Sequence, residues 1–320
     1  MAFSTWVCLC PLIWSVTDAV HLAWQSSEGY NDGETFMRVL PRPEHLKDMH
    51  PTLLKPDEKP YRLIRPDAHS YSQWMQDITL APILRSMGKG FFVESGAQNG
   101  EAHSNTLILE KSGWSGLLVE PNPISLGVLE GKHRKAYVFE GALSPTASRE
   151  VVRFSGERIR EDSKKDAIDV VAEPLASLLK GLDQRTVDFW SLDIEGFEGR
   201  VLNSTDFREI EVGVLPIEVA HEDDGLVEDV MLRNGFQFIG HSYYHKKAVE
   251  IKDASPEHPW LVLDAVYINP AYFKARSLPV PKRISEDLHQ YDCRAATARQ
   301  ERGLSPRTGD NALLKACRRT

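Results

Sequence analysis

The chain has 320 residues, 42% hydrophobic and 26% charged, with a formal net charge of −8. That length supports one large α/β domain or two small ones, and the composition is that of a folded protein rather than a disordered one. The acidic balance argues against a general nucleic-acid binder. The charge is uneven: from Lys274 onward there are 11 Lys and Arg against 5 Asp and Glu, so the tail is near +6 and the remainder near −14. Four cysteines occur, Cys8, Cys10, Cys293 and Cys317, and none forms a pair at zinc-knuckle spacing. Cys293 and Cys317 form an even pair once the start is removed, and the sequence leaves open whether they bridge.

Taken in order, the apolar stretch Phe3–Val20 resembles a secretory h-region, with Thr17-Asp18-Ala19 as a loose cleavage site. No Lys or Arg precedes it and Pro11 interrupts it, so signal peptide, membrane anchor and ordinary buried terminus all stand for residues 1–24. Residues 25–69, rich in Pro, Gly and charge, read as linker or draped loop. Residues 70–273 form the body, and 274–320 a basic tail. Within the body, Ser70–Met87 reads as a helix with an apolar stripe and Pro82 as its restart point.

From Gly90 the pattern alternates. Strands are expected at Phe91–Ala97, Gly116–Glu120, Ala136–Glu140, Val187–Ile194 and Val212–Ala220. Helices are expected at Ser104–Lys111, after Pro121-Asn122-Pro123, at Glu173–Leu182, from Phe197, and at Leu226–Asn234. Glu150–Phe154 reads as part of a side hairpin and Arg158–Asp169 as a charged loop. Phe236–Gly240 and Leu261–Ile268 close the body as an antiparallel edge pair. Such alternation predicts an α/β fold with a mostly parallel sheet and helices on both faces.

Ligands of open parallel sheets bind at the carboxyl ends of the strands. Those ends carry Glu94 and Gly96; Glu120 and Asn122; Asp193, Glu195 and Gly196; Glu218 and His221. The turn Gly96-Ala97-Gln98-Asn99-Gly100 lets a ligand meet bare backbone. Glu120, at the end of the second strand, suits the two hydroxyls of a ribose. The dinucleotide and P-loop glycine fingerprints are absent, and an acid at Glu94 disfavours phosphate while favouring an ammonium. S-adenosylmethionine fits that pattern better than a dinucleotide. Asp193 and His221 are candidates to take a proton from an acceptor. Asp193 and Glu195 read equally as helix caps, and His221 as a loop histidine. Asp193, Glu195, Glu218 and His221 also make an oxygen-rich set for a hard cation, although no metal is expected.

The runs FFVESGAQNGE, GLLVEPNP and VDFWSLDIEGFEGRVL resemble the FkbM-type methyltransferase domain. Within it, SQWMQD, ESGAQNGEAHSNTLILE, GWSGLLVEPNP and SLDIEG look most like the animal Star-like proteins. The resemblance implies a Rossmann-like class I methyltransferase fold using S-adenosyl-L-methionine. Glu94, Gly96 and Gly100 match its first cofactor motif, Glu120 its ribose-binding acid, and Asp193, Glu195 and Gly196 its D-x-E-G motif; Ala97 and Asn122 complete the candidate cofactor-binding set. It implies O-methyl transfer to a small-molecule, glycan or lipid hydroxyl. The Star-like resemblance implies instead a non-catalytic protein of the secretory pathway with a membrane or cargo partner. Asn99 stands where relatives often carry Asp.

Overall fold

The computed structural model describes residues 53–73, 76–155, 158–160, 167–219, 225–245 and 260–284. Twelve strands follow among these: β1 (Leu53–Leu54), β2 (Phe91–Ser95), β3 (Ser115–Glu120), β4 (Tyr137–Glu140), β5 (Ala142–Leu143), β6 (Glu150–Ser155), β7 (Arg158–Arg160), β8 (Ile168–Glu173), β9 (Thr186–Leu192), β10 (Glu211–Glu218), β11 (Gln237–His245) and β12 (Trp260–Ile268). The described helices are α1 (Gln76–Thr79), α2 (Ala81–Met87), α3 (Leu107–Lys111), α4 (Pro123–Glu130), α5 (Leu175–Gly181), α6 (Glu198–Ser204), α7 (Leu226–Arg233) and α8 (Pro270–Ala275).

The main sheet has the order β1-β4-β3-β2-β9-β10-β12-β11. Strands β4, β3, β2, β9 and β10 run parallel, while β12 is antiparallel to both β10 and β11. The central strands are almost continuously apolar because both faces are covered. Phe91 and Val93 pack with Val187, Leu215 and Ile217 on one side. Phe92 packs with Phe189, Val214 and Val266 on the other. Chain order runs outward from β2 to β4, then restarts at β9 beside β2. The strand order therefore reverses between β2 and β9, which places a crevice at their carboxyl ends.

Two expectations are corrected. Of the helix read over Ser70–Met87, the described residues 70–73 are not helical, while α1 covers Gln76–Thr79 and α2 Ala81–Met87. The Asp77 carboxylate accepts from Ser70 Oγ and Tyr71 N, which holds residues 70–71 out of helical conformation. Gln76 and Asp77 are buried rather than forming a solvent face, while Pro82 does stand at the start of α2. The charged loop read over Arg158–Asp169 contains β7 and the start of β8, which join β5 and β6 in a second sheet ordered β5-β8-β6-β7. Charge at alternate positions masked those strands. Helix α5 accordingly begins at Leu175, after Pro174. His241 and Ser242 are both buried in β11.

A buried cation ties the first half of the sheet together. Arg134, just before β4, bonds Glu110 of α3 through Nε at 3.0 Å, and both side chains are essentially inaccessible. Its remaining nitrogens donate to the Gly100 carbonyl, Ser104 Oγ and Thr106 Oγ1. Removing one partner of such a pair leaves an uncompensated buried charge. Arg134→Met is expected to lower stability by about 3–5 kcal/mol, measured by urea denaturation.

Candidate active site

The β2–α3 connection begins with Gly96, whose φ is +84°. A Cβ at that position would lie 1.9 Å from the Asp193 carbonyl oxygen, so only glycine lets β2 and β9 cross this closely. Gly96 N and Ala97 N both donate to Val119 O, fixing the turn against the end of β3. Gln98 and His103 also have positive φ, as does Gly100 at +74°. A Cβ on Gly100 would press on Leu129 of α4 at 2.9 Å.

Glu120 occupies the end of β3. Its two oxygens accept from Gln98 N at 2.6 Å and Asn122 N at 2.7 Å, so the acid sits between the turn and the start of α4. Asn122 is the N-cap of α4, its Oδ1 accepting from Ile124 N and Ser125 N, with Pro123 at the first helical position. Asn99 Oδ1 accepts from Glu101 N and Ala102 N. An amide oxygen does there what an Asp would do.

Glu94 is placed differently. It is 3% exposed, and its oxygens accept from Asn105 N, Ser104 Oγ and Thr106 Oγ1. Burial pushes its carboxyl up, against the pull of Arg134 and those three donors. Through these bonds Glu94 organises the approach to α3.

At the ends of β9 and β10 the structure gathers carboxyls. Oxygens of Asp193, Glu198 and Glu218 lie within 4.8 Å of one another. Asp264 of β12 stands opposite Glu218 in register and bonds Ser242 Oγ. Glu198 accepts from Ile194 N and Gly196 N, clamping the turn in which Glu195 has φ +61°. Burial, then the mutual repulsion of Asp193, Asp264, Glu195 and Glu198, pushes the Asp193 carboxyl well up. Burial, followed by the charges of Asp193 and Glu198, does the same to Glu218. Burial also raises Glu198 and Asp264. Three oxygens at this spacing are a donor set that hard cations take, and the same set can hold a shared proton.

The structure thus brings Gly96, Ala97, Gly100, Glu120 and Asn122 together, and meets Asp193 at the Gly96 crossing. His221 lies outside the described residues. Sequence reasoning missed Glu198 and Asp264. The last acid of D-x-E-G-F-E was a usable signal for Glu198, five residues after Asp193. Nothing local marked Asp264 within an apolar strand except the cost of putting a charge there. An open cleft of about 600 Å³ at the opposite, amino ends of the strands is lined by Lys89, Trp114, Lys135 and Asp188 and touches none of these residues. Among the described residues no helix is long and apolar enough to cross a membrane.

Strand order, the glycine turn and the acid at the end of β3 define a Rossmann-like class I S-adenosylmethionine-dependent methyltransferase fold. Residues 94–238 match the family model of the methyltransferase FkbM domain. Among solved structures, the chain is similar to a precorrin-6y C5,15-methyltransferase from Geobacter metallireducens, at 13% identity and TM-score 0.34, covering 67% of this chain and 98% of that one. It is similar to a TehB-like SAM-dependent methyltransferase from Corynebacterium glutamicum, at 13% identity and TM-score 0.32, covering 60% and 87%. It is also similar to the magnesium protoporphyrin IX methyltransferase of Synechocystis with bound SAM, at 13% identity and TM-score 0.31, covering 59% and 76%. At these values the likenesses carry no inference about activity. No curated protein matches the chain significantly.

Two outcomes are expected. Gly96→Ala, forced against the Asp193 carbonyl at a left-handed φ, loses at least about 2 kcal/mol in urea denaturation. The raised carboxyls of Glu218 and Asp193 keep protons in the folded state that the unfolded chain has already lost above its ordinary carboxylate range. Stability of the ligand-free protein therefore falls as pH rises from about 5 towards 8, by about 1.4 kcal/mol per pH unit for each retained proton. Glu218→Gln removes part of that slope, and thermal melts of both proteins across the range read the difference.

Proposed function

We propose that this protein binds S-adenosyl-L-methionine at the carboxyl ends of β2, β3 and β9 and transfers its methyl group to a hydroxyl of an acceptor molecule. The observation that carries the reading is the pairing of the Gly96–Gly100 turn with Glu120 beside the reversal in strand order. The FkbM match over residues 94–238 supports methyl transfer in general. The donor chemistry fits the cofactor. Glu120 offers acceptors to a ribose diol, while Gly96, Ala97 and Gly100 offer backbone without side chains. Asn122 fixes the helix start beside them, and Asp193 and Glu195 offer negative charge to an ammonium or a sulfonium. Glu94 supports the turn from behind.

When bound, the cofactor supplies a methyl group on a positively charged sulfur. The protein's part is to hold an acceptor oxygen in line with that carbon and to receive the acceptor's proton. Asp193 is the residue for the second task, with His221 as the sequence-based alternative. Burial and the acidic neighbours push the Asp193 carboxyl well up. A cation brought close lowers its pKa and makes the carboxylate available as a base. The acceptor on this reading is a small molecule, a glycan or a lipid rather than a nucleic acid.

The secretory-pathway location rests on Phe3–Val20, which lies outside the described residues, and so does its reading as signal peptide or anchor. The Star-like resemblance, with its trafficking role, rests on the sequence motifs alone. Calorimetric titration of the full chain with S-adenosylmethionine tests the reading. Binding is expected in the wild type, and Glu120→Ala is expected to weaken it by at least about tenfold, the cost of lost hydrogen bonds to a charged acceptor. A wild-type protein that takes up no cofactor would refute the methyltransferase and favour the trafficking role.

A further inference from the structure

The turn from Gly96 to His103 packs four residues at positive φ into eight positions, so it is held by restraints rather than by backbone preference. Three restraints come from within residues 94–238: Glu120 on Gln98 N, Asn99 on Glu101 N and Ala102 N, and Arg134 on the Gly100 carbonyl. The fourth comes from outside that stretch. Glu101, immediately after Gly100, turns its carboxylate away from the crevice and accepts from Ile64 N at 2.9 Å and Arg65 N at 2.7 Å. Lys132, just beyond α4, pairs with the same carboxylate at 3.0 Å, and both side chains are nearly inaccessible.

Residues 53–71 are fastened at further points along the same side. Leu53 and Leu54 pair with Phe139 and Val138 of β4. Asp57 N donates to Arg134 O, and Arg62 N to Lys132 O. Lys135 Nζ donates to the Asp57 carbonyl at 2.7 Å, and His133 Nδ1 meets Asp57 Oδ2 at 2.7 Å. Lys111 Nζ donates to the Pro66 carbonyl and to Tyr71 Oη. Downstream, Ser72 bridges His103 at the end of the turn.

We propose that residues 53–71 form a docked strap that positions the cofactor turn through the buried Glu101–Lys132 pair, so that strap docking and cofactor binding strengthen each other. The inference rests on the S-adenosylmethionine reading of that turn. A carboxylate shared between two backbone N–H groups and an ammonium in a buried setting has little freedom to move without losing charge-assisted bonds. Glu101 is bonded through one peptide to Gly100, so a fixed Glu101 fixes the last residue of the turn. Lys132 carries the same restraint to α4, whose Leu129 packs on Gly100 and whose N-cap sits on Glu120. The connection runs from Ile64 and Arg65, through Glu101 and Lys132, to both residues proposed to face the ribose end. Glu101 is a positioning residue in this scheme and touches no ligand. Linkage makes the coupling reciprocal: if the docked strap favours the binding-competent turn, a bound cofactor must favour the docked strap by the same factor.

Amide hydrogen exchange on the full chain, with and without S-adenosylmethionine, tests this alongside the calorimetric titration. In the wild type the cofactor is expected to slow exchange across residues 60–66 about tenfold, within the usual range of such couplings. Glu101→Gln, which keeps one acceptor and loses the charge, is expected to bind the cofactor about tenfold more weakly and to lose most of that slowing. A purely structural Glu101 would change basal exchange but leave the cofactor-dependent slowing intact. Wild-type protein that binds the cofactor while exchange at residues 60–66 stays the same overturns the strap and leaves the methyltransferase standing. So does a Glu101→Gln protein that binds and protects like wild type. Absence of cofactor binding overturns both. Should Glu101→Gln fail to fold, the wild-type comparison alone decides.

Discussion

The guanidinium of Arg134 is the interaction on which the cofactor half of the molecule depends. It is buried with Glu110, reaches the carbonyl of Gly100, and touches the two hydroxyls that also serve Glu94. A charge in that position is tolerable only while every partner is present. Remove it and Glu110 loses its counter-ion, the turn loses a donor to its last carbonyl, and the Ser104–Thr106 segment loses its link to β4. The backbone conformation of the turn is strained, so its geometry is set by polar anchors of this kind more than by apolar packing. That arrangement makes the turn precise, and it makes the precision depend on residues far away in sequence.

The other half of the crevice is built on the opposite electrostatic logic. At the ends of β9, β10 and β12, burial raises the carboxyls of Asp193, Glu198, Glu218 and Asp264, and acidic neighbours push Asp193 and Glu218 further. Arg134 neutralises acids with a resident cation; this cluster copes by keeping protons. The two solutions sit on either side of the reversal in strand order, where the Gly96 position brings β2 against the Asp193 carbonyl. A ligand carrying positive charge would be received by the side that has protons to release.

Much of this was legible in the sequence, and the parts that were not share a cause. Apolar runs separated by helical stretches identify β2, β3, β4, β9 and β10, because strands covered on both faces leave no other pattern. The glycines of the first turn and the acid of β3 stand out because backbone conformation and strand ends are local properties. Of the second sheet, β6 was legible as part of a side hairpin, while β7 and β8 escaped because they alternate charge with apolar residues at short spacing. The non-helical backbone at residues 70–71 escaped because it depends on where one side chain, Asp77, turns. Glu101, Arg134, Glu198 and Asp264 escaped for the same reason at longer range. Sequence spacing shows that an acid lies near a strand end, but not whether it faces a ligand, a helix or another acid. Glu94 is the clearest case: its position beside the glycine turn suggests ligand contact, and its hydrogen bonds point it into the protein.

The pairing of Leu53 and Leu54 with β4 has a consequence for the sheet as an object in a crowded solution. An open edge of unpaired backbone is a template on which another chain can add a strand. Here the edge strand β4 is occupied at Val138 and Phe139 by two residues from more than 80 positions upstream. Those two leucines work as a stopper. A fragment trimmed to residues 94–238 would keep Glu120, Asp193, Glu198 and Glu218 but lose Asp264, and it would present that edge bare to a second copy of itself.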